Sequence, residues 1–119
     1  MGDENDVRVD VDLDGDSAVL RVDGTEAGHM DMHHRHGDGD APAAVVLVHT
    51  EVDDAYEGRG LASRLVRAVF EAARAAGAPV VPRCPYVQHW LGSHPEYLAD
   101  VPADDRRALG LAAPTEEAS

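Results

Sequence analysis

The segment Ala43–Val52 (AAVVLVHTEV) restricts the fold more than any other stretch of the chain. Its first six residues are apolar without alternation, so an extended chain here needs cover on both faces, as a central strand does. Polar chemistry begins only at its end, with His49, Thr50 and Glu51. Beyond the linker DDAYE, the residues Leu61, Leu65, Ala68, Val69, Ala72 and Ala73 mark one face of a helix that runs to about Ala76, and Gly77 is its natural stop. Ala78–Arg83 (APVVPR) then reads as a short strand in which Pro79 and Pro82 forbid a complete ladder. A strand, helix and strand in one sheet cross over right-handed. That rule lays the helix on one face, with its N-terminus at the carboxyl edge of the preceding strand.

Three further strands precede this unit. Val7, Val9, Val11 and Leu13 alternate with charged residues, Asp14-Gly15-Asp16 is a turn signal, and Ser17–Asp23 returns with Ala18, Leu20 and Val22 on one face. Glu26–His36 is a third strand, with Met30 and Met32 opposite Asp31 and His33, and Gly37–Pro42 is the loop after it. Pro85–Leu91 opens with a proline, which suits the first position of a second helix. Met1–Asp6 is a polar lead-in. From Pro102 the chain reads as a short helical turn followed by a tail. A single domain over residues 1–101 and a C-terminal tail over 102–119 are predicted.

Composition excludes several chemistries. All ten basic residues are arginine and the net charge is −13, so no lysine is present to act as a phosphate-loop cation, a Schiff base or a nucleophile. Without a basic stripe the chain is not expected to bind nucleic acid. The lone cysteine, Cys84, precludes an internal disulfide. No run is apolar enough to span a bilayer and the N-terminus has no export signal, so a cytoplasmic protein with no membrane partner is predicted.

Tyr56–Val66 (YEGRGLASRLV) poses the functional question. Glycine costs about 1 kcal/mol against alanine inside a helix, yet Gly58 and Gly60 stand where this helix begins. Bare amides at a helix N-terminus form an anion site suited to phosphate. The dinucleotide pattern GxGxxG is not met, since Ser63 stands at its last position. The loop Glu57-Gly58-Arg59-Gly60-Leu61-Ala62 instead resembles the pyrophosphate loop, Q/R-x-x-G-x-G/A, of the GNAT superfamily of acyl-coenzyme A dependent N-acyltransferases. HTEV (His49–Val52), EGRGLASRLV (Glu57–Val66), PRCPYV (Pro82–Val87) and HPEY (His94–Tyr97) are similar to signature blocks of its small single-domain members, across roughly Glu26–Val101.

The resemblance implies an α/β (α+β) fold: a mixed, largely antiparallel sheet of about five strands, a helical crossover between strands four and five, and a C-terminal helix. It implies acetyl-CoA (coenzyme A) as cofactor, with its pyrophosphate on the amides of Arg59–Ala62 and its pantetheine arm between strands four and five. The cofactor-binding set is then Val52, Gly58, Arg59, Gly60, Leu61, Ala62, Ser63, Arg64 and Cys84. Glu57 departs from the superfamily pattern, which prefers Gln or Arg there, so its side chain is expected to point away from the phosphates. The implied reaction is acetyl transfer to an amine, either a protein tail or a polyamine.

Such a reaction needs a proton acceptor for the amine and a donor for the thiolate. Glu51 and His49 stand two apart on one strand face, with Glu51 the first choice of base. Cys84, just ahead of Pro85, is a nucleophile, a coenzyme contact or a buried small hydrophobe. Tyr86 and Tyr97 are possible acids. The histidines His29, His33, His34 and His36 alternate between two faces, so no metal site is predicted. The rival reading is an acyl-CoA binding or sensing module without catalysis.

Overall fold

The computed structural model describes residues 6–13, 15–37 and 43–112. The described chain runs β1 (Val7–Asp12), β2 (Ser17–Val22), β3 (Thr25–Arg35), β4 (Ala44–Val52), α1 (Leu61–Ala75), β5 (Val80–Pro82), α2 (Pro85–Ser93) and α3 (Ala103–Leu109), with 3-10 turns at Asp54–Tyr56 and Pro95–Asp100. The lead-in before residue 6, the loop at 38–42 and the tail at 113–119 lie outside the described residues.

One sheet carries the strands in chain order, β1-β2-β3-β4-β5. Its first three pairings are antiparallel and β4 to β5 is parallel, the mixed sheet the sequence implies. The β2–β3 connection is set by Asp23-Gly24, both at positive φ (51° and 83°), which matches the twist of the flanking strands. Pro79 and Pro82 leave β5 only three residues long.

One face of the sheet bears Ala18, Leu20, Met30, Met32, Val45 and Leu47, all buried with α1 against them. On α1 the buried residues are Leu61, Leu65, Val66, Val69, Phe70 and Ala73, so the buried stripe is wider and bulkier than the alanine-rich face read from the sequence. Each such Leu, Val or Phe contributes about 1.5–3 kcal/mol by leaving water. Of the five Phe, Trp and Tyr residues in the chain, three stack together where α1, α2 and the second 3-10 turn meet. Phe70 lies 5.6 Å from Trp90 and 5.3 Å from Tyr97, centroid to centroid. The other two, Tyr56 and Tyr86, line the cleft described below.

The short helical turn expected from Pro102 is α3, and it docks on the opposite face of the sheet. Leu109 packs against the cluster Ala44, Val46 and Val81, and Asp105 makes a two-pronged ion pair with Arg35 of β3. Arg106 donates to the carbonyls of Leu98 and Val101. This supplies the second cover that the unalternating start of β4 requires, and it leaves the rest of that face bare among the described residues.

Candidate functional site

The turn into α1 explains its glycines before any ligand is considered. Gly58 (φ 82°) and Gly60 (φ 73°) are both left-handed, a conformation an L side chain adopts only with strain. A Cβ placed on either would meet nothing within 4 Å, so the space above the turn is open. Gly60 is the N-cap of α1 and brings no capping side chain, and the first turn has no acidic residue. The helical ladder begins with Arg64 N–H donating to Gly60 O (3.2 Å), so the amides of Leu61, Ala62 and Ser63 fall outside it and point their partial positive charge out of the helix end. Beside them is a cleft of about 340 Å³ walled by Thr50, Val52, Tyr56, Glu57, Tyr86 and the turn itself. Arg59 lies over the ring of Tyr56, 5.4 Å from its centroid.

The far wall of this cleft is a split in the sheet with a local cause. The β4–β5 ladder pairs Val45, Val46 and Leu47 with Val80, Val81 and Pro82, and ends there because proline has no N–H to continue it. Leu47 O instead receives both Arg83 N–H and Cys84 N–H at 2.9 Å, turning the chain away from β4, and Pro85 starts α2 at once. Past Leu47, β4 runs on to Val52 with no paired strand on that side among the described residues. Cys84 is buried, and its Sγ lies 3.4 Å from Thr50 Oγ1 across the opening. Tyr86, on the first turn of α2, is the one large hydrophobic residue left well exposed among those described, at 39%. Partial burial, and next the neighbouring Cys84, raise its phenol above the ordinary tyrosine value. It therefore keeps its proton at neutral pH.

A bulge decides which β4 side chains face the cleft. Asp31 pairs with His49, but the next residue, Met32, pairs with Leu47, so Val48 is an extra residue in β4. Because Met30 pairs with Thr50 and Gly28 with Val52, Thr50 and Val52 share the α1 face with Leu47. His49 and Glu51 emerge on the other face, 57% and 60% exposed, with His49 Nε2 3.5 Å from Glu51 Oε1. Opposite them on β3 are Asp31 and His29, themselves 3.7 Å apart, and the rings of His29 and His49 are 6.4 Å apart.

The residues picked from the sequence thus fall into three groups. Val52, Gly58, Gly60, Leu61 and Ala62 wall the cleft, with Arg59 at its rim and Cys84 beyond Thr50. Ser63 Oγ accepts a 2.8 Å hydrogen bond from Trp90 Nε1, which ties α1 to α2, while Arg64 is exposed on the helix surface. Glu51 and His49 pair with each other on the sheet face away from the cleft. Glu57 is on the cleft wall. Tyr97 is in the aromatic core, its hydroxyl donating to Glu71, which is a packing role. His34 Nε2 lies 2.8 Å from Gly15 O. Among the described residues no group of three or more His, Cys, Asp or Glu side chains is placed to hold a metal ion. No described helix is long and apolar enough to cross a membrane.

Sequence reasoning missed Thr50 and Tyr56 as cleft residues, and Gly28 altogether. A Cβ on Gly28 would sit 2.5 Å from Glu51 O, so glycine is what lets β3 approach β4 at the end of the split. A glycine interrupting a strand pattern is the signal that would have found it.

Comparison with known proteins gives a consistent picture. A family model described as GCN5-related N-acetyl-transferase matches residues 18–101, from β2 to the end of the second 3-10 turn. Among solved structures, the ribosomal-protein-alanine N-acetyltransferase of Brucella melitensis biovar Abortus 2308 aligns with a TM-score of 0.51 at 20% identity, covering 87% of this chain and 66% of that one. An aminoglycoside acetyltransferase from an uncultured soil metagenomic sample also gives 0.51, at 19% identity, over 87% of this chain and 60% of its own. The chain therefore spans less than two thirds of either, and at these identities the likeness is one of fold. No curated protein sequence matches it.

Proposed function

Since this chain belongs to the GCN5-related N-acetyltransferase family, we propose that it binds acetyl-CoA at the α1 turn and transfers the acetyl group to an amine. The observation that carries this reading is the left-handed glycine turn, which delivers unladdered amides to a cleft that continues into the split between β4 and β5. Donor set and lining both suit the cofactor: neutral N–H groups for a pyrophosphate, open space above two glycines, and a wall of Thr50, Val52 and Tyr86 for an uncharged arm. The amides of Arg59–Ala62, with that of Ser63, would hold the pyrophosphate. Val52 and Cys84 would flank the arm, and Arg59 and Arg64 would offset the repulsion between an anionic cofactor and a chain of net charge −13.

Acetyl-CoA supplies an activated acetyl thioester. The chain's own residues supply proton traffic and position. Glu51, assisted or replaced by His49, takes the proton that the acceptor's ammonium must lose before its nitrogen can attack. Tyr86, held neutral, gives a proton to the departing thiolate. For Glu51 to serve an acetyl group held in the cleft, acceptor and cofactor would enter from opposite sides of the sheet and meet at the split. Cys84 is buried against Thr50, which supports a lining role over that of a covalent nucleophile.

The position of His49 and Glu51 on the face away from the cleft is the observation favouring the second reading, an acyl-CoA sensor without turnover. Thiol release from acetyl-CoA, assayed over a panel of amines, separates the two. Binding without thiol release for any amine selects the sensor, and failure to bind CoA by calorimetry removes both.

A further inference from the structure

The cleft takes two of its sides from different helices. Gly58, Gly60 and the first residues of α1 form one, and Tyr86, on the first turn of α2, stands on the other. Trp90 follows Tyr86 by one helical turn on the same face of α2, and its Nε1–H donates at 2.8 Å to Ser63 Oγ, on the first turn of α1. Resting on the acetyl-CoA reading, we propose that Trp90 is a positioning residue: its bond to Ser63 holds the two helix starts together, sets the width of the cleft between the glycine turn and Tyr86, and so fixes how tightly the cofactor is held.

Packing aims the indole. Its ring stacks on Phe70 (5.6 Å, 18°) and on His94 (4.1 Å, 13°), and Tyr97 is tilted against it at 5.2 Å. Phe70 lies two turns after Ser63 on the same face of α1, so the indole rests on one and reaches the other along the helix. Trp90 is buried, which denies its N–H a solvent partner and makes the Ser63 hydroxyl its acceptor. Further along α1, Glu71 accepts from Tyr97 and Arg74 pairs with Asp100, but these ties lie about two and three turns from Ser63. At its own start α2 is pinned to β4 by Cys84 N–H donating to Leu47 O. Tyr86 stands between that pin and Trp90. Loosening Trp90 therefore lets this stretch swing away from α1, carrying Tyr86 with it and exposing the Cys84 thiol buried at the helix start.

The full chain is compared with Trp90→Phe, Ser63→Ala, the double variant, Ser63→Thr and Arg74→Ala. Two quantities are read: calorimetric binding of CoA and, without ligand and well below every Tm, the rate at which iodoacetamide alkylates Cys84, the chain's one thiol. Trp90→Phe keeps a stacking ring and loses the donor, while Ser63→Ala leaves the donor buried without an acceptor. Each should weaken CoA binding about three- to tenfold, the worth of one ordinary hydrogen bond, and speed alkylation by at least about threefold. The double variant should bind no worse than the weaker single one, because both changes remove the same bond. Ser63→Thr keeps an acceptor oxygen and should match the unmodified chain. Arg74→Ala cuts the tie to Asp100 at the far end of α1, so it should lower Tm and leave CoA affinity and the alkylation rate unmoved. A CoA affinity or a Cys84 rate that stays at the unmodified value in both Trp90→Phe and Ser63→Ala would overturn the proposal. So would additive losses in the double variant, Ser63→Thr as impaired as Ser63→Ala, or the same losses in Arg74→Ala. Should Ser63→Ala not fold, Trp90→Phe against Arg74→Ala makes the same comparison. If the unmodified chain binds no CoA, the acetyltransferase reading falls, and the Cys84 rates alone then decide whether Trp90 sets the width of the cleft.

Discussion

At the scale of single residues, the glycines of the α1 turn serve the backbone and are proposed to serve the ligand as well, and the two roles are separable. Gly60 and Gly77 bracket α1, with φ 73° and 71°, and a Cβ on either would meet nothing. Alanine at each position should therefore cost the same left-handed strain, about 1 kcal/mol. Only Gly60→Ala places a methyl beside the amides that would hold a pyrophosphate. Denaturation midpoints should fall equally in the two variants, while CoA affinity by calorimetry should drop at least tenfold in Gly60→Ala and stay put in Gly77→Ala. Matching affinities would dissociate the loop from the cofactor. Glu51→Gln offers a second residue-scale contrast: it keeps the shape and removes the proposed base, so turnover should fall by roughly 10²–10⁴ with CoA affinity retained. Undiminished turnover would hand the role to His49 or to water.

At the scale of elements, what could be read from the sequence and what could not follow from physical differences between signals. The split was legible because prolines punctuate: Pro82 ends β5 and Pro85 opens α2 within four residues, and neither effect depends on distant contacts. The α1 boundary was legible for the same reason, a glycine at each end. The bulge at Val48 was hidden. Ala43–Val48 is apolar throughout and carries no phase, so nothing local tells Leu47, His49 and Glu51 on one face from Leu47, Thr50 and Val52 on one face. The docking of α3 was hidden as well, because its contacts to Arg35 and Val46 are remote in sequence. Gly28 tests how firmly this end of the sheet is fixed. In Gly28→Val the new Cβ would lie 2.5 Å from Glu51 O and 3.1 Å from Val52, all on strand backbone or close to it, so β3 and β4 must separate. A loss of at least 2 kcal/mol is expected, within the range for overpacking, and with it any ordered position for Glu51. A fully stable Gly28→Val would mean the β3–β4 approach is slacker than described. The aromatic cluster gives an element-scale pH dependence. The hydrogen bond to Glu71, and next burial, raise Tyr97 above the usual tyrosine value near 10. The stability this contributes is present below that value and is lost as pH climbs through the folded-state one. Tyr97→Phe should cost about 1 kcal/mol at pH 7, and it should flatten the decline in Tm above pH 10. An unchanged alkaline slope would assign that decline to other groups.

At the scale of the whole molecule, a chain of net charge −13 repels itself, repels its proposed anionic cofactor and attracts its proposed cationic acceptor, so one variable, ionic strength, acts on all three with different signs. Between about 0.01 and 0.15 M salt the Debye length shrinks from about 30 to about 8 Å. Self-repulsion among carboxylates spread over the surface is long-ranged and is screened first, so Tm should rise by several degrees, on the scale of about 4–8 °C per kcal/mol for small domains. CoA meets short-range donors at the α1 turn, within the screening length at either salt, and long-range repulsion from everything else. Screening removes the second more than the first. CoA affinity should consequently hold or rise modestly, by less than about threefold, the reverse of an anion bound by a cationic patch. A polyamine such as spermidine, tried as the cationic amine acceptor, would be attracted by the same field and should lose affinity over the same range. Calorimetric titration of both ligands at the two salt concentrations checks the pair of slopes together. If CoA affinity instead falls as steeply as that of spermidine, then Arg59 and Arg64, and not the backbone amides, hold the pyrophosphate, and the salt slope should flatten in Arg59→Ala.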